Sequence, residues 1–141
     1  MARFVFRLQR VKQVRIIQEA VQKQKWAQAQ RALLLAQQKL AQLKEEEADV
    51  AAYCHKLTDI RIRPWAYRYL AKLDRMITRQ AEAVHEAALV EAAARQDWNR
   101  ARTEKEKLER LEARHYEAFM YEELRKEQHI LDDMKNHVGQ V

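Results

Sequence analysis

Two Glu-x-x-His pairs, Glu82-Ala-Val-His85 and Glu112-Ala-Arg-His115, have the spacing that di-iron helix bundles use to hold metal. Such a site needs one pair on each of two facing helices. Here nothing between the pairs breaks a helix, so they lie thirty residues, ~45 Å, apart along one element. They cannot converge within one chain, and no metal is expected. Cys54-His55 offers two adjacent ligands that point in different directions, and Cys54 is more simply a packing residue. As the only cysteine it makes no internal disulfide, which fits a reducing compartment. The chain contains no Ser, one Gly and one Pro, so neither a serine nucleophile nor a phosphate-cradling loop is available. No enzyme activity, cofactor or small-molecule ligand is expected.

The elements that carry these residues read as helices. Ala, Leu, Glu, Lys, Gln and Arg supply most of the 141 residues, the composition of long helices or coiled coil. The lone proline lies in Thr58-Asp59-Ile60-Arg61-Ile62-Arg63-Pro64-Trp65, and proline disfavours helix just before itself while favouring the start of one. The fold expected is all-α: one long antiparallel two-helix coiled-coil hairpin over residues 1–141. Helix 1 spans about 5–58, the turn about 59–64 and helix 2 about 65–136. No run of ~18 uncharged apolar residues is present to span a membrane, and the N-terminus lacks a secretory signal pattern. A soluble cytosolic protein is expected.

Apolar periodicity supports the hairpin. Trp26, Ala29, Leu33, Ala36, Leu40, Leu43, Glu47, Val50, Cys54 and Leu57 recur at 3-4 spacing, as do Leu70, Leu73, Ile77, Gln80, Val84, Ala87, Glu91, Ala94, Trp98, Ala101, Lys105 and Leu108. A sustained 3.5-residue period defines a coiled-coil seam. One antiparallel register sets Leu57 on Leu70, Cys54 on Leu73, and Glu47 on Gln80. It also places each seam tryptophan on an alanine, Trp26 on Ala101 and Trp98 on Ala29. Nearer the N-terminus, Val14, Ile17 and Val21 leave the Trp26 frame, which predicts a stutter. About fifteen C-terminal residues should overhang, ending in a frayed terminus near Gly139.

Charge is uneven. Residues 1–31 hold eight basic side chains and one acid, residues 56–79 hold seven bases against two acids, and residues 117–133 hold six acids and two bases. A net charge of +6 raises nucleic acid as a partner, but no reading module or aromatic stacking array accompanies the charge, so none is expected. Acidic partners could dock on either basic region, or these charges are simply solvated flanks. Near the turn, Tyr53, Tyr69 and Met76 fall beside the seam rather than in it. Exposed tyrosine and methionine beside a narrow core suit a protein-binding surface; closing the core at the turn is the equal alternative.

The opening Phe4-Val5-Phe6-Arg7-Leu8-Gln9-Arg10-Val11 with Arg15 resembles that of the flagellar export protein family FliJ. The stretch Tyr69-Leu70-x-x-Leu73 to Gln80 fits the same family, as does Lys105-x-Lys107-Leu108-Glu109 through Tyr116 to Glu127-Gln128-x-x-Leu131-Asp132-Asp133. YscO-type injectisome stalk proteins are similar in architecture. The resemblance implies an antiparallel coiled coil like the central stalk of rotary ATPases. It would bind the hexameric export ATPase (FliI-like) and promote its assembly and activity. It would also couple that ATPase to the export gate protein (FlhA-like), and meet the ATPase regulator (FliH-like) and export chaperones. The location implied is cytoplasmic and peripheral to the membrane at the flagellar base. ATPase contact would fall on Arg7, Arg10 and Arg15 with the C-terminal overhang at Glu127; gate contact would fall on Tyr53, Tyr69, Leu73, Met76 and Gln80. A generic coiled-coil scaffold or an injectisome stalk is the alternative.

Overall fold

The computed structural model describes residues 2–139. Helix α1, Gln9–Lys56, and helix α2, Arg63–Gly139, account for nearly all of them, and no strand forms among the described residues. The two pack against each other as an all-α helical hairpin. The turn forms because Asp59 competes for backbone donors. Its carboxylate accepts the Arg61 N–H at 3.0 Å and its carbonyl accepts the Ile62 N–H at 3.4 Å. Pro64 is the second helical residue of α2, a position whose missing N–H has no intrahelical acceptor to lose. Contacts divide the chain into two units. Residues 21–98 form one, and the N-terminal twenty residues with the chain from Asn99 onward form the other.

In the unit 21–98, the periodic residues are the covered ones. Trp26, Ala29, Leu33, Ala36, Leu40, Leu43, Glu47, Val50, Cys54 and Leu57 are all buried or half-buried, as are Leu70, Leu73, Ile77, Gln80, Val84, Ala87, Glu91, Ala94 and Trp98. Leu73 is the deepest, at 1% exposure. The register differs from the expected one. Trp26 stacks on Trp98 with ring centroids 5.0 Å apart and 13° between planes, and its Nε1–H donates to Glu91 Oε1 at 3.0 Å. Trp98 and Glu91 lie one turn to either side of Ala94, so Trp26 sits over Ala94, one heptad from Ala101. A seven-residue repeat leaves its apolar layers matched after a one-heptad slide, so polar groups decide between registers. In this one Glu91 gains the indole donor, and the Gln80 amide donates to the Ala36 carbonyl at 2.9 Å instead of meeting Glu47.

In the other unit the seam is ionic. Leu8, Lys12, Arg15 and Glu19 are half-buried at 4-3-4 spacing and continue the frame that passes through Gln22 to Trp26, so the expected stutter does not occur. The heptad runs on unbroken, with the charged Lys12, Arg15 and Glu19 in three of its seam positions. Lys12 Nζ lies 2.5 Å from Glu112 Oε2, and Lys105 Nζ lies 3.9 Å from Glu19 Oε2. Glu112 Oε2 is shut away from solvent, and Lys12 is its counter-ion. The apolar Val11, Val14, Ile16 and Ile17 are left exposed. Ahead of α1, residues 2–6 are not helical, although helix was expected from about residue 5. Phe4 meets Tyr116 (5.3 Å, edge-on) and Phe119 (5.5 Å), Phe6 meets His115 (5.7 Å), and Val5 is exposed.

Candidate functional site

Two surfaces hold the candidate residues, one in each unit. The first lies on a flank of the seam near the turn. Glu46 and Tyr53 each precede a seam residue of α1 (Glu47, Cys54), and Tyr69 and Met76 each precede one of α2 (Leu70, Ile77). Helical repetition puts each pair on one flank. The Tyr69 hydroxyl donates to the Glu46 carboxylate, which shows that the two flanks meet on the same side. That hydrogen bond, with smaller contributions from desolvation and from the Glu46 charge, raises the Tyr69 phenol above its usual value of 10.0. Tyr53 and Met76 are exposed and Tyr69 is half-exposed. Leu73, expected among the contact residues, is buried and Gln80 is engaged with the Ala36 carbonyl, so both support this surface from beneath. Beside it Trp65, Arg68, Tyr69 and Lys72 line a shallow basic and aromatic hollow. Periodicity alone had given no role to Arg68 or Lys72; their i, i+4 spacing around Tyr69 was the available signal.

The second surface lies in the unit that includes the N-terminal residues. Arg7 and Arg10 are exposed, whereas Arg15 occupies a half-buried seam position, with its guanidinium 3.3 Å from Gln18 Oε1. The structure thus separates Arg15 from the other two. Arg10 instead shares a helix face with Val14 and Ile17, at i+4 and i+7. On α2, Met120, Leu124, Glu127, Leu131, Met134 and Val138 recur at 4-3 spacing, and all are exposed. Neither Arg10 nor Glu127 has an ion-pair partner among the described residues.

Neither surface carries converging catalytic groups. Among the described residues no three His, Cys, Asp or Glu side chains come together as a metal site. Of the second Glu-x-x-His pair, Glu112 is held by Lys12 and His115 packs on Phe6. Cys54 is buried in the seam as a free thiol. No described helix is long and apolar enough to cross a membrane.

Comparison with known families adds one match. The model of the flagellar FliJ protein family fits residues 4–138, which takes in the Phe4/Phe6 segment, both helices and the turn. No curated protein and no solved structure matches the chain. The family match covers nearly every residue of a two-helix hairpin whose covered positions follow its heptads, and the chain accordingly belongs to the flagellar FliJ protein family, a component of the flagellar type III export apparatus.

Proposed function

We propose that this chain is a non-catalytic coupling subunit: it binds the hexameric export ATPase as a stalk-like helical pair and links it to the export gate, the ATPase regulator and the export chaperones. Its place is the cytoplasm, held to the membrane's inner face through those partners. The observation that carries this reading is the division of labour along the helices. In each unit a seam between α1 and α2 holds the helices together, which leaves the aromatic flank and the unmatched basic and acidic faces exposed. Association energy concentrates in aromatic, methionine and arginine anchors, and complementary charge steers encounter. Arg7, Arg10 and Glu127 are the ATPase contacts in this reading, with Arg15 bracing α1 beneath them. Tyr53, Tyr69 and Met76 are the gate contacts, resting on Leu73 and Gln80.

Turnover of the cognate export ATPase with and without this protein tests the first contact. The wild-type chain should raise turnover, and Arg7→Glu with Arg10→Glu should abolish most of the gain while helicity is unchanged. Full stimulation by the reversed variant would refute the assignment. For the second contact, Tyr53→Ala with Met76→Ala should weaken binding to the gate protein's cytoplasmic part by at least ~10-fold, the scale of an anchor residue.

A further inference from the structure

The apolar faces that the hairpin leaves uncovered match each other. On α1 the exposed face reads Arg10, Val14, Ile17, and on α2 it reads Glu127, Leu131, Met134. Both have the same 4-3 spacing, and in the sequence both frames run on four residues further to a valine, Val21 and Val138. Val14 is 51% and Ile17 63% exposed, against 53% for Leu131 and 61% for Met134. The one polar residue in each frame is charged, and the charges are opposite. The surroundings repeat the contrast: residues 117–133 carry six acids and two bases, whereas Arg7 and Arg10 flank the α1 face. Phe4 packs on Tyr116 and Phe119, and beyond those residues the apolar side chains of α2 stand in solvent.

We propose that two copies of this chain pair reciprocally, the α2 segment 127–138 of each lying parallel on the Arg10–Val14–Ile17 face of α1 in the other. Parallel heptads in register would set Arg10 on Glu127, Val14 on Leu131 and Ile17 on Met134, so the charged layer fixes alignment and the apolar layers supply association. Within this unit α1 and α2 run antiparallel, so a two-fold axis perpendicular to the helices brings the C-terminal part of α2 parallel to the partner's α1. A two-fold axis then makes the contact twice. A second α2 end is a poorer occupant of the α2 face, because both segments carry the same acidic excess, six acids against two bases over residues 117–133. The α1 face can accept the acidic segment without any such clash.

Arg10 and Glu127 are free for the ATPase only when the two copies are apart, so pairing would compete with that contact; the test below needs only this protein, and its failure would leave the ATPase reading standing. Sedimentation equilibrium on the full chain should show the mass rising from 16.9 kDa toward twice that value as concentration increases through roughly 1–200 µM, the range of a small, transient interface. Arg10→Glu and Glu127→Arg should each hold the chain at monomer mass with helicity unchanged by circular dichroism. Mixed in equal amounts, the two variants should regain dimer mass, because each restores the other's charged layer in both contacts. Wild-type protein that stays monomeric throughout overturns the proposal. So does self-association lost in Glu127→Arg but intact in Arg10→Glu, which would place α2 on α2. A chain that sediments with anionic phospholipid vesicles while showing no self-association would assign the faces to a lipid surface and also overturn it.

Discussion

Tyr69 shows how one hydrogen bond across the seam leaves a measurable trace. Its phenol donates to Glu46, and that bond holds the proton on and raises the group above 10.0. The stabilisation linked to this proton is therefore present below the ordinary tyrosine value and fades as pH climbs through the raised one. Spectrophotometric titration should find a phenol ionising above 10.0. Glu46→Ala, which removes both the acceptor and its charge, should lower that component, and Tyr69→Phe should remove it. An unchanged component in Glu46→Ala would disconnect the shift from the carboxylate.

At the scale of the helix, α2 near the turn passes from its seam to its flank within three residues. Leu73→Ala removes a side chain that is 1% exposed and should destabilise the fold by about 3 kcal/mol, whereas Met76→Ala on the flank should cost less than about 0.5 kcal/mol. Urea unfolding checks both, and equal losses would contradict the assignment of Met76 to a free surface. The seam was legible in the sequence: every seam residue from Trp26 to Leu57 and from Leu70 to Leu108 is covered. What sequence could not set was how far one helix slides along the other, because a repeat of seven leaves its apolar layers matched after a slide of seven. The slide is decided by partners such as Trp26 with Glu91, and a donor–acceptor pair 65 residues apart leaves no mark in local pattern. The first turns of α1 misled for a different reason. Val14 and Ile17 look like core by composition, but the frame inherited from Trp26 assigns those inward positions to Lys12, Arg15 and Glu19. Among the proposed contacts, the exposure of Tyr53 and Met76 was legible from their offset to the seam. The burial of Leu73 and the occupation of Gln80 were not, since both depend on what the opposite helix presents.

Across the molecule as a whole, the same hairpin motif is held by two kinds of chemistry, indole and aliphatic contacts in residues 21–98 and ion pairs with an aromatic clasp in the remainder. Raising ionic strength to about 1 M shortens the screening length to about 3 Å and should weaken only the second kind. Hydrogen exchange should then speed up a few-fold for amides 9–20 and barely change for 29–57. Uniform acceleration would mean that the charged seam is not what holds α1 there. One feature within residues 21–98 also gives the molecule an internal optical gauge. Two near-parallel indoles 5.0 Å apart couple their electronic transitions, whereas Trp65 is exposed near the turn. Circular dichroism in the indole bands therefore reports directly on whether Trp26 and Trp98 are still together, with no added dye. Fluorescence from Trp65 reads out events at the turn, so prying apart the helices and engaging their tip would register as separate colours of the same experiment.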